Sequence, residues 1–88
     1  MALIDEETLR NNLARNLRYL RTSKICGISQ EALARKIGVT PKSISRYETG
    51  ICLPPSHVLA AFSKYFGYSM DELLAERLPS KEGRENNE

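Results

Sequence analysis

The fold is decided by residues Ser29–Glu48, which read SQEALARKIGVTPKSISRYE. Serine is a preferred helix N-cap, and a glycine that follows an apolar stripe, as Gly38 does, is a typical left-handed helix end. Soon afterwards Thr40 can cap a second helix, and Pro41 takes its first position, where the missing N–H costs nothing. The segment therefore predicts two short helices joined by a tight turn.

Such a pair is the sequence form of a helix-turn-helix motif. A short turn at Gly38 sets the second helix at a steep angle, so that it projects from the body and can enter a groove about 12 Å wide. On that helix Lys42, Ser43 and Arg46 lie at i, i+1 and i+4 and share one side. Arg46 can fork to O6 and N7 of guanine, Lys42 can reach the same acceptors singly, and Pro41 can contact a thymine methyl. By spacing alone, ordinary exposed polar residues explain this side equally well.

The rest of the chain also reads as helix, because no stretch alternates apolar and polar residues over strand length. Before the motif, leucines recur at spacings of four, four and three, which predicts a helix over about 6–24 capped by Asp5. After the motif we expect a fourth helix over about Ser56–Phe66. A fifth helix is opened by a Ser69–Glu72 capping box and ended by Pro79.

The chain has 88 residues, which allows one small domain. Residues 1–12 are expected to be an N-terminal extension with the start of the first helix. Residues 13–78 are expected to form an all-α helix-turn-helix domain, with the motif at about 29–48. Residues 79–88 are expected to be a disordered acidic tail, since no residue after Pro79 is apolar.

Charge is distributed unevenly along the chain. Ten basic residues and two acidic ones lie between Arg10 and Lys64, so a basic centre separates acidic flanks although the net charge is only +2. A concentrated basic centre suits a polyanion, because Lys and Arg release counterions from phosphates. A solvated charged surface on a helical protein is the alternative explanation.

The sequence contains no arrangement typical of an enzyme or a metal site. Cys26 and Cys52 have no second Cys or His at ligand spacing, so we expect free, buried or half-buried thiols, and His57 is the single histidine. We therefore expect no catalytic residue, metal, cofactor or small-molecule ligand. No apolar run approaches the roughly 20 residues that span a bilayer, and Met1–Glu7 lacks the features of a secretion signal. No membrane partner and a cytoplasmic location are the expectation.

Several ordered motifs resemble a known family. They are Leu20-Arg21, residues 27–40 (GISQEALARKIGVT), residues 43–50 (SISRYETG), Pro54, Leu59, Phe62, residues 66–69 (FGYS) and residues 71–74 (DELL). In this order and spacing they strongly resemble the Cro/lambda-repressor-like helix-turn-helix family, also called the xenobiotic-response-element family. The resemblance covers about Leu13 to Leu74 and implies a five-helix, lambda-repressor-like DNA-binding domain. The link from Arg21 to Gly27 departs from the family pattern because it is longer.

The resemblance assigns roles to side chains by position. The positions that read bases are Pro41, Lys42, Ser43 and Arg46. The positions that contact phosphates are Gln30, Thr40 and Thr49. The hydroxyl of Tyr47 is a further candidate for a phosphate contact. Arg21 and Glu48 fall where the family forms a buried ion pair between the first and third helices, and a structural role is expected for them. A proline at the first recognition position removes a hydrogen-bonding side chain, so that reading depends mainly on Lys42 and Arg46.

These observations predict a sequence-specific regulator of transcription, such as a repressor, that binds double-stranded DNA. A domain of this size reads few base pairs, so a homodimer on a pseudo-palindromic operator is expected, with half-sites roughly 34 Å apart. Candidate dimer surfaces are the Ile51–Leu53 loop, the fifth helix around Met70–Leu78, and the N-terminal segment with Leu3 and Ile4. The alternative is a protein-interaction module, such as an antitoxin or anti-repressor, built on the same fold.

Overall fold

The computed structural model describes residues 5–79, and these residues form five helices and no strand. The helices are α1 (Glu6–Arg21), α2 (Gln30–Ile37), α3 (Pro41–Glu48), α4 (Ser56–Phe66) and α5 (Met70–Leu74). The all-helical fold and the two tightly joined central helices are thereby confirmed.

Local hydrogen bonds explain where the helices begin. Asp5 Oδ1 accepts from the Thr8 amide at 2.8 Å, and bonds from Thr8 hold the pKa of that carboxyl below its usual value. Ser29 and Thr40 cap α2 and α3 in the same way. The predicted capping box at α5 is present in both directions. Each of these caps was readable from the sequence because each joins residues three positions apart.

Two helices end earlier than predicted. The first stops at Arg21 rather than near residue 24, and the side chains of Thr22 and Ser23 donate to carbonyls of its last turn. The fifth stops at Leu74 rather than at Pro79. Side-chain amides of α1 explain this second end: Asn12 donates to Leu74 O at 3.0 Å, and Asn16 donates to the carbonyls of residues 73 and 75. Carbonyls bonded in this way are satisfied without further helical turns.

The core lies where all five helices meet. Its fully buried side chains are Leu13, Leu17, Leu33, Ile44, Phe62 and Leu73. Tyr47 of α3 meets Phe62 edge-on, with ring centroids 6.1 Å apart, while Phe66 stacks on the same ring at 6.4 Å. This packing attaches one side of α3 to the body of the domain.

Three further observations concern residues 5–79. None of their helices is long and apolar enough to cross a membrane. They contain no group of three or more His, Cys, Asp or Glu residues arranged to hold a metal ion. Both cysteines are free and half-buried, as expected. The predictions for Leu3 and Ile4 and for the tail beyond residue 79 lie outside the described residues.

Candidate nucleic-acid interface

The third helix has an inner side and an outer side. Ile44 and Glu48 are buried against the body, whereas Lys42 and Arg46 are exposed on the outer side. Neither of these two cations takes part in an ion pair among residues 5–79. Pro41 is exposed at the start of the same helix. Three of the four residues predicted to read bases thus present their side chains to solvent at one end and along one side of α3.

Ser43, the fourth predicted base reader, is partly occupied by local bonds. Thr40 Oγ1 caps α3 by accepting from the Ser43 amide at 3.1 Å, and it donates its proton to Ser43 Oγ at 3.0 Å. Ser43 also lies beside Tyr47, where its side chain partly opposes the rise in the pKa of that phenol. Ser43 is half-buried and bonded to Thr40, so its freedom to turn toward a base is smaller than that of Lys42 or Arg46.

Tyr47 contributes its ring to the core and is only 7% exposed. Burial is the main cause that raises the pKa of its phenol. A tyrosine hydroxyl is protonated at neutral pH in any case, so it keeps a proton to donate. Any phosphate contact must therefore come from the hydroxyl beside Ser43.

A buried polar cluster joins α1, α2 and α3. Arg21 of α1 grips the carboxylate of Glu48 with two bonds, from Nε to Oε2 at 2.6 Å and from Nη2 to Oε1 at 3.0 Å. Gln30 of α2 donates its amide nitrogen to the same Oε1 at 3.0 Å. Arg21 also donates from Nη1 to the carbonyl of Ile28, just before α2. One carboxylate thereby fixes the relative positions of the three helices that surround the predicted interface.

This cluster restricts Gln30, the residue predicted to grip a phosphate. A carboxylate only accepts hydrogen bonds, so the amide must present its NH₂ group to Glu48. One N–H is used in that bond, which leaves the second N–H of the half-buried side chain for another acceptor. The resemblance assigned Gln30 and the ion pair separately, and the contact between them was not predicted.

The turn after α3 is tied to α1 through a residue that sequence reasoning missed. Arg10 donates from Nε to the carbonyl of Gly50 at 3.1 Å, and its guanidinium pairs with Glu6 at 3.2 Å. Gly50 has φ +78°, and a Cβ there would lie 2.9 Å from the side chain of Asn11, so a larger residue is strained in two ways. The sequence did contain a signal for this contact: Arg10 lies within about 20° of Arg21 around α1, so both face the same side of the helix.

Thr49, the last of the predicted phosphate-contacting residues, is exposed at the end of α3. Its hydroxyl donates to the carbonyl of Ser45 at 2.9 Å. Because a hydroxyl has a single proton, none is left for a second bond. A bond from this hydroxyl to a phosphate requires the proton to turn away from the helix.

Comparisons with known proteins agree with a helix-turn-helix fold. A family model described as helix-turn-helix matches residues 17–73. The HTH-type transcriptional activator BcrR of Enterococcus faecalis is 39% identical over 59 residues, which is 67% of this chain and 28% of that protein. The chain therefore spans well under half the length of this relative. No solved structure matches the chain.

Proposed function

The chain belongs to the helix-turn-helix family, and we propose that it regulates transcription by reading double-stranded DNA in the major groove with α3. The observation that carries the proposal is the pair Lys42 and Arg46. Both are exposed on one side of α3, while the opposite side is fastened by Ile44 and Glu48. A reading helix needs this combination, because its cations must be free and its axis must be held rigidly.

Base reading is divided among the exposed side chains. Arg46 forks to guanine O6 and N7, and Lys42 donates to the same type of acceptor from the preceding turn. Pro41 offers an apolar contact to a thymine methyl, and Ser43 serves as a weaker reader. Arg46 makes the largest contribution to discrimination, because a bidentate bond rejects the wrong base most strongly.

Phosphate contacts set the register of α3 in the groove. Gln30 is the first residue of α2 and Thr40 is the N-cap of α3, so both lie where backbone N–H groups favour an anion. Thr49 and the hydroxyl of Tyr47 contact phosphate beyond and beside the reading helix. These contacts carry no sequence information, and they account for the salt dependence of binding together with the surrounding basic residues.

We further propose that the regulator acts as a homodimer on a pseudo-palindrome in the cytoplasm. The single α3 covers too few base pairs for a unique site, and two copies related by a two-fold axis would place their reading helices one DNA turn apart, about 34 Å. A protein bound at such a site can block polymerase, as a repressor does, or recruit polymerase, as an activator does. The matched relative is named as a transcriptional activator.

Replacing Arg46 with alanine is expected to cost about 1–3 kcal/mol of binding and to relax the preference at one base position. The measurement is a titration against the preferred duplex, selected from random DNA, and against its single-base variants. Lys64→Ala is the matched control, because it removes one exposed positive charge from the end of α4. Equal loss on preferred and random DNA would show that Arg46 does not read a base.

Replacing Gln30 with alanine is expected to weaken binding evenly across sequences by about 1.5–3 kcal/mol, since a hydrogen bond to a charged phosphate is lost. The preferred sequence should stay the same. Urea unfolding of the variant measures separately the loss of the bond from Gln30 to Glu48. A changed preferred sequence would contradict the phosphate role.

The second candidate function is a protein-interaction module, and an exposed apolar groove away from α3 favours it. Salt distinguishes the two functions. Phosphate contact predicts that the affinity for duplex DNA falls steeply as salt rises, whereas an interaction module predicts no gel shift at any salt concentration.

A further inference from the structure

A wide apolar groove lies between the second half of α1, the end of α4 and the segment that follows α5. Its volume is about 1020 Å³. Of the four large hydrophobic residues exposed within residues 5–79, three line this groove: Tyr19 is 66% exposed, Ile25 98% and Tyr65 39%. Concentration of exposed apolar side chains at one place marks a surface that meets a partner.

The groove faces away from the reading helix. Arg21 contacts α3 through Glu48, and Tyr19 lies about 160° from Arg21 around α1. None of the residues that line the groove belongs to α3 or to the predicted DNA-contacting set. An occupant of the groove therefore leaves the exposed side of α3 open.

The chemistry of the groove defines the occupant. Its floor is aromatic and aliphatic, whereas Arg15 and Arg77 place two exposed cations at its edge. A segment with apolar side chains followed by carboxylates is complementary to both features. Glu76 is the single acidic side chain in the lining, so the cations outnumber it.

One part of this chain outside the described residues has that composition. Residues 1–4 read Met-Ala-Leu-Ile and are followed by Asp5-Glu6-Glu7, whereas Ser80–Glu88 contains no apolar residue. The N-terminal segment is thus the complementary one of the two.

This segment cannot reach Tyr19 in the groove of its own copy. Tyr19 lies about 21 Å along α1 from Asp5, because an α-helix rises 1.5 Å per residue. Four extended residues span at most about 14 Å, and they would also have to reverse direction at the start of α1. Residues 1–4 of a second copy are not subject to this limit, because their distance from the groove depends only on how the two copies meet.

We propose that residues Met1–Ile4 of one copy dock in the apolar groove of a second copy, so that two copies exchange their N-terminal segments. Leu3 and Ile4 cover Tyr19 and Ile25 of the other copy, and Glu7 faces its arginine edge. The mutual exchange closes with two-fold symmetry and leaves no groove empty. The proposal rests on the dimeric regulator proposed above and identifies its dimer contact.

The test is the mass of the full chain in solution, measured by sedimentation equilibrium. The unaltered protein is expected to be a dimer. Leu3→Asp and Ile25→Asp should each weaken self-association by roughly 100-fold, because the substitution acts twice in a symmetric dimer. Ile51→Asp is the matched control, since Ile51 is 65% exposed but lies outside the groove. A monomeric wild-type protein, a dimer that survives Leu3→Asp, or a dimer broken only by Ile51→Asp would overturn the proposal.

A cross-link distinguishes segment exchange from direct packing of two grooves. Cys26 lines the groove, so an Ile4→Cys, Cys52→Ser chain treated with diamide should form a covalent dimer joined between positions 4 and 26. A link from Cys26 to Cys26 would instead show groove-to-groove packing and refute the exchange. Circular dichroism verifies that each variant is folded.

Failure of the proposed function gives a different result. The Leu3→Asp variant should still shift a DNA half-site in a manner that depends on Arg46. Loss of DNA binding by the intact dimer would refute DNA reading and leave the exchange standing. DNA binding by a chain that never dimerises would refute the exchange and leave DNA reading standing.

Discussion

Replacing Glu48 with alanine is expected to lower the free energy of unfolding by about 3–5 kcal/mol. The carboxylate accepts two bonds from Arg21 and one from Gln30, and its side chain is only 2% exposed. Without the carboxylate, the Arg21 guanidinium, which is 14% exposed, loses its ion pair and keeps the bond from Nη1 to the Ile28 carbonyl. Because small domains are stable by about 5–15 kcal/mol, this loss takes a large part of the total. Urea unfolding followed by circular dichroism measures it.

The control for this prediction is Glu31→Ala, which removes an exposed carboxylate and should change stability by no more than about 0.5 kcal/mol. A double variant, Arg21→Met with Glu48→Leu, should recover most of the stability, because no buried charge is left unpaired. If Glu48→Ala cost no more than Glu31→Ala, the cluster would not hold the three helices together.

Replacing Phe62 with alanine is expected to cost about 3–5 kcal/mol. Phe62 is fully buried, and its ring makes a T-shaped contact with Tyr47 and a stacked contact with Phe66. The substitution therefore removes the transfer free energy of a large side chain, opens a cavity and breaks two aromatic contacts. Tyr47 loses its support from α4, so α3, the helix proposed to read DNA, should also become less rigid. Thermal unfolding measures the stability, and the DNA titration at low temperature measures the binding.

Tyr65→Ala is the matched control, because it removes an aromatic ring from the same helix at a position that is 39% exposed. We expect a loss on the order of 1 kcal/mol for the edge contact with Phe66. A similar loss at both positions would mean that the core is able to close around the missing Phe62 ring.

Features that join neighbours along the chain were predictable. The Ser29 and Thr40 caps and the left-handed Gly38 stop each depend on a span of a few residues, and the structure contains all three. Periodic leucines correctly placed α1 toward the core, although Leu9 is only half-buried at its exposed first turns. Local signals suffice for these features because their hydrogen bonds and packing stripes form within one or two helical turns.

Contacts between distant residues were not predictable. Asn12 and Asn16 read as ordinary polar residues of α1, yet their amides satisfy carbonyls about sixty positions away and end α5 early. The bond from Gln30 to Glu48 uses one N–H of a side chain to which the resemblance assigned only a phosphate contact. In both cases a polar group that leaves solvent must find a partner, and only the packing decides which partner is near.

Caps, turns and helical period are local properties, so the order of residues was enough to predict the class of fold and the outer side of α3. Tertiary structure alone decided which polar groups share the carboxylate of Glu48, where α5 ends, and that Tyr19, Ile25 and Tyr65 come together in one groove. The physical reason is that burial and hydrogen-bond competition depend on distances in space, which chain order does not contain.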